Sequence, residues 1–64
     1  MKALILDRWN KITHMEYLVI DTRSFREFLI ETHESFPIGT KVDLNVEALK
    51  RIKLLSDIGA YHPH

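Results

Sequence analysis

Four histidines, His14, His33, His62 and His64, and a carboxylate series, Glu27, Glu31 and Glu34, are the side chains of this 64-residue chain best suited by type to chemistry. Metal ligation needs imidazoles held on fixed elements and converging on one point. His62 and His64 merely flank Pro63, and the spacing of all four is generic, so no metal is expected and the histidines are read as solvated. Glu27, Glu31 and Glu34 fall at i, i+4 and i+7, which on a helix shares one face. General acid–base work would need one of them in a cleft with a displaced titration, and a solvated face is expected instead. Ser24, Ser35 and Ser56 have no nucleophile elbow around them, and Gly39 is too solitary for a phosphate-binding loop. No catalytic residue and no cofactor are expected, and the chain is read as a non-enzymatic protein.

Trp9 stands between Arg8 and Lys11, a setting in which an aromatic ring can stack on a nucleobase or fold back as a lid on its own strand. The lid is the favoured reading. Lys50, Arg51 and Lys53 spread around a helix instead of lining up, which makes a poor phosphate stripe.

The elements that would position these groups read as strand, strand, helix, helix. Ala3–Leu6 is a four-residue apolar run ended by Asp7, and Ile12–Ile20 is a second such run after a polar turn. A β-hairpin is the economical connection between them. Asp21, Thr22 and Ser24 are good N-caps, and Ser24 with Glu27 fits a capping box. Phe25, Phe28, Leu29, Thr32 and Phe36 then make a stripe at helical spacing, and Pro37 ends it. Lys41–Leu44 alternates polar and apolar and could add a short third strand near Val42. A second helix is expected from Val46 to about Ile58, with Asp43 or Asn45 as cap and Gly59 as the left-handed residue after it.

The expected fold is therefore a small α+β domain over 1–59, an N-terminal hairpin followed by two α-helices (ββαα), with 60–64 as a loose tail. Its core would be Leu4, Leu6, Leu18, Ile20, Phe25, Phe28, Leu29, Phe36, Leu49, Ile52 and Leu55. With no cysteine, neither a disulfide nor a thiolate site can reinforce so small a core. Zero formal charge argues against a general nucleic-acid binder. No apolar run approaches the roughly 20 residues of a membrane span. The opening Met-Lys-Ala-Leu-Ile-Leu is cut too short by Asp7 and Arg8 for a signal peptide, so a cytoplasmic protein is expected.

The stretch Gly39-Thr40-Lys41-Val42-Asp43-Leu44-Asn45-Val46-Glu47-Ala48-Leu49 resembles the turn and second-helix start of ribbon-helix-helix repressors and antitoxins. That resemblance implies a DNA-binding dimer in which Thr40 and Lys41 contact phosphate, with Arg8, Trp9 and Lys11 as further candidates. The strand that would enter the major groove carries Met15, Tyr17 and Val19 or Glu16, which do not read base edges as Arg, Lys, Asn or Gln would.

The favoured functional expectation is a regulatory or inhibitor-like interaction protein that binds a larger protein partner and forms a homodimer or higher oligomer through an apolar surface. Met15, Tyr17 and Val19 on an uncovered strand face, with Ile30, Leu54 and Ile58 on outer helix faces, are the expected interface.

Overall fold

In the computed structural model, which describes residues 1–61, the N-terminal apolar run is a strand, β1 (Lys2–Asn10), and it is longer than four residues. It pairs antiparallel with β2 (Met15–Asp21) through a tight turn closed by the Lys11 N–H donating to the His14 carbonyl at 2.9 Å. The register shifts between Ile5 and Asp7, so Leu6 is an extra residue on β1.

Neither expected helix is present, and the fold is all-β. Phe25–Phe36 holds β3 (Arg26–Thr32), antiparallel to β2, and Val46–Ile58 holds a single 3₁₀ turn (Ala48–Lys50) and the start of β5 (Lys53–Ala60). With β4 (Lys41–Asp43) near Val42, these strands form one antiparallel sheet in the order β4-β1-β2-β3-β5. β5 runs one residue past Gly59, and the Tyr61 N–H donates to the Phe25 carbonyl at 2.8 Å. His62 and His64, in the expected tail, lie outside the described residues. No helix among the described residues is long and apolar enough to cross a membrane.

The supposed helix caps are turn formers. Asp21 accepts from the Arg23 N–H at 3.0 Å and from the Ser24 hydroxyl at 2.9 Å, and its carbonyl accepts from the Phe25 N–H at 2.9 Å. Short polar side chains satisfy turn and helix-start amides equally well, so the same residues serve either structure. Phe25 takes a positive φ of 57°, leaving its ring exposed and starting β3 instead of a helix.

That turn makes a pH prediction. The Arg23 N–H, with a smaller contribution from the Ser24 hydroxyl, holds the Asp21 carboxyl below its ordinary 3.8, against a partial loss of hydration. A depressed folded value adds stability above the unfolded value, and that stability disappears as pH falls through the folded one. Asp21→Asn should therefore be less stable than wild type at neutral pH, with the gap closing below about pH 3.8. Urea denaturation of both proteins across pH 2–7 checks it, and a gap independent of pH contradicts it.

The core occupies one face of the sheet. Ala3, Ile5, Tyr17, Val19 and Ile30 are buried together with Leu44, Ala48 and Ile52 from the segment after β4, and Met15, Phe28, Phe36 and Val42 pack against them. Leu44, Ala48 and Ile52 keep helical spacing although only the 3₁₀ turn at Ala48–Lys50 is helical, and the Asn45 side chain accepts from the Ala48 N–H at 2.9 Å. Tyr17 is fully buried, and its hydroxyl donates to the Glu34 carbonyl and accepts from the Phe36 N–H, each at 2.8 Å. The two rings lie 5.4 Å apart between centroids, so the tyrosine ties the connection after β3 to the middle of the sheet.

This face is the reverse of the one expected. Tyr17, Val19 and Ile30 are core residues and Met15 is packed against them, so none is an uncovered interface residue. Of the expected core, Ile20 and Ile52 are buried, and Phe28 and Phe36 pack beside it. Leu4, Leu6, Leu18 and Leu29 are only partly buried, whereas Phe25, Leu49 and Leu55 are exposed.

Candidate functional site

Side chains alternate across a strand, so the register defines what the second face carries. Leu4 lies opposite Ile20, and Ile20 opposite Glu27; Leu18 lies opposite Leu29 and Asp7, and the β1 bulge sets Leu6 beside Asp7. Ile20 is 7% exposed yet is not part of the main core cluster, as its place on the opposite face requires. The central strands β2 and β3 thus present an apolar patch on the side away from Tyr17, with its leucines only partly buried by the chain itself.

The ends of this patch are charged, and differently. Lys2 on β1 follows the alternation of Leu4, and Lys41 on β4 lies opposite Leu4, so both mark one end. Glu16 and Glu31 are directly opposite one another on β2 and β3 and mark the other, with Trp9 opposite Glu16 and Lys53 opposite Glu31. Two carboxylates in direct cross-strand register repel. His14, at the end of the β1–β2 turn, sits against both: its Nε2 is 2.9 Å from Glu16 Oε2 and 3.5 Å from Glu31 Oε1. The other ring nitrogen, Nδ1, is 3.0 Å from the Thr13 hydroxyl.

An apolar cleft of about 240 Å³ opens on the covered side of the sheet, where Met1, Phe28, Ile30 and Leu44 meet Leu49, Ile52 and Leu54. Leu54 is therefore exposed at the mouth of a cleft, opposite Ile30, and not on an outer helix face. Ile58 is also exposed, at one of two register shifts in β5.

The candidate nucleic-acid contacts divide along β1. Thr40 and Lys41 lie beside its first half, where the Thr40 carbonyl accepts from the Ile5 N–H at 2.9 Å, while Arg8, Trp9 and Lys11 occupy its far end and turn. The Thr40 hydroxyl donates to the Pro37 carbonyl at 2.7 Å, which ties it into its own turn. Arg8 points with Tyr17 and Trp9 with Glu16, so the Trp9 ring and the Arg8 guanidinium belong to opposite faces. The residues resembling a ribbon-helix-helix turn and second helix are a turn, β4 and the 3₁₀ segment, so the helix that the resemblance implies is absent.

On a helix Glu31 would lie far from His14 and nothing would join the two; only the β2–β3 register does. The His14–Glu16 spacing of two residues was the available signal, since i and i+2 share a face in a strand. Neither a family model, nor a curated protein, nor a solved structure matches the chain.

Proposed function

We propose that the chain is a non-enzymatic interaction protein that works as a homodimer, packed face to face through the apolar patch of β2 and β3. The observation that carries this reading is that Leu4, Leu6, Leu18 and Leu29 gather on the sheet face away from Tyr17 and are only partly buried by the chain itself. A lone two-layer domain would have put such side chains inside, because full burial stabilises each by about 1.5–3 kcal/mol relative to exposure.

A second copy suits this face for three reasons. The chain measures 31 × 26 × 20 Å, so one sheet face offers at most on the order of 800 Å², about the area that each partner contributes to a standard interface. The charges at the two ends are complementary: a two-fold axis crossing the strands carries the Lys2 and Lys41 end of one copy toward the Glu16 and Glu31 end of the other. Zero net charge leaves no general repulsion between copies. The non-enzymatic part is supported by the serine that does make a side-chain bond: Ser24 donates to Asp21, with no histidine beside it to act as base.

Leu18→Glu tests the reading, since it puts a charge in the middle of the patch while leaving the Tyr17 side untouched. Wild type should sediment as a dimer at micromolar concentration. The variant should dimerise at least a hundredfold more weakly, with its far-UV circular dichroism unchanged; a hundredfold is about 2.8 kcal/mol. A monomeric wild type overturns the proposal.

A further inference from the structure

We propose that His14, Glu16 and Glu31 form a site for a divalent first-row transition-metal ion. Glu16 and Glu31 also mark the acidic end of the proposed dimer face, but the inference rests on their geometry with His14 within one chain. Each of the three side chains offers one ligand atom, and these atoms all lie within 4.8 Å of one another. They are a set of mixed chemistry drawn from two adjacent strands and the turn between β1 and β2, so the backbone register fixes their spacing.

The distances suit a small ion. Zinc holds imidazole nitrogen at about 2.0–2.1 Å and carboxylate oxygen at about 2.0–2.2 Å, which in a tetrahedron separates neighbouring ligand atoms by roughly 3.4 Å. Nε2 of His14 stands 2.9 Å from Glu16 and 3.5 Å from Glu31, on either side of that value. A cation at the centre of the three atoms would need only side-chain torsions to adjust.

The surroundings favour ligation as well. The Thr13 hydroxyl at 3.0 Å from Nδ1 orients the ring so that Nε2 faces the carboxylates, the role that a neighbouring polar group plays toward a ligating imidazole. Two glutamates in direct register carry a like-charge cost that a divalent ion removes. Lys53, the cross-strand neighbour of Glu31 on β5, could have relieved that cost, yet the ion pairs of Glu31 among the described residues include His14 and not Lys53. One nitrogen and two carboxylate oxygens suit zinc and its first-row neighbours, whereas calcium asks for six to eight oxygens. With three protein ligands, the remaining position faces solvent.

The experiment uses the full chain carrying His62→Ala and His64→Ala, which removes the two histidines outside the described residues as competing ligands. Zn²⁺ titrated by calorimetry should bind one ion per chain, and Co²⁺ should show the visible absorption of a four-coordinate ion. His14→Ala, Glu16→Gln and Glu31→Gln should each weaken Zn²⁺ binding at least tenfold, and Mg²⁺ should not compete. In the chain with His14 intact, the ¹⁵N resonance of His14 Nε2 should shift on Zn²⁺ addition far more than that of Nδ1, a readout that needs no further variant to fold. No saturable Zn²⁺ binding, binding that survives His14→Ala, or an unmoved His14 resonance would each overturn the proposal.

Discussion

Tyr17→Phe should lower the unfolding free energy by roughly 2–4 kcal/mol, because an unpartnered buried donor or acceptor costs about 1–3 kcal/mol and this change orphans one of each. The tyrosine hydroxyl accepts from the Phe36 N–H and donates to the Glu34 carbonyl, and both groups are partly buried. The substituted ring keeps its volume and its contact with Phe36, so no cavity adds to the loss. A chain of this length holds on the order of 3–10 kcal/mol in all, so the variant should stand close to unfolding at ambient temperature. Urea denaturation with tryptophan fluorescence measures the change. A loss below about 0.5 kcal/mol would show that the segment from Glu34 to Phe36 is not held by this hydroxyl.

The second large effect comes from neighbours on β3. Ile30→Ala should cost about 2–5 kcal/mol at every protein concentration, since it empties a buried site between Tyr17 and Leu54. Leu29→Ala, one residue away on the opposite face and only partly buried, should cost less than Ile30→Ala in the isolated chain and add a loss of self-association. The discriminating measurement is the melting temperature of both variants over a hundredfold range of concentration, because only an associating protein has a concentration-dependent midpoint. Equal losses for the two variants in dilute solution would mean that the sheet buries both faces alone. On the helix expected from the sequence, Leu29 and not Ile30 would have been the core residue.

That contrast shows why β3 was hard to read. Phe28, Leu29 and Ile30 are consecutive apolar residues, so the period of two that marks a half-buried strand is hidden, and the spacing of Phe25, Phe28, Leu29, Thr32 and Phe36 imitates a helix. The last strand is disguised differently. Its register slips twice against β3, at Leu55 and at Ile58, and each extra residue reverses the alternation of those that follow. The pairing of the first two strands was legible, because Ala3–Leu6 is too short for a helix and a polar turn follows it. Even there the face was not, since Tyr17, Val19, Leu18 and Ile20 are all apolar and only the covering segment from Leu44 to Ile52 decides which pair lies inside. The spacing of His14 and Glu16 fits one face of a strand, a signal that reading the histidines as solvated passes over. Glu31 joins them only through the β2–β3 register, and Asp21, Ser24 and Phe25 set that register through a turn that looked like a helix cap.

The same two slips in β5 bear on how readily further chains could add to the edge of the sheet. An outermost strand with a free row of backbone amides is a template on which further chains can add without limit. On one side of this sheet that row is divided between β4, three residues long, and the part of β1 that β4 does not pair, offset from it by the bulge at Leu6. On the other side β5 is eight residues long, but the extra residues at Leu55 and Ile58, followed by Gly59 at a φ of 104°, break its line of amides into short offset pieces. Short or interrupted rows at both margins disfavour sideways addition, and the proposed stacking of sheet on sheet would close on itself after two copies.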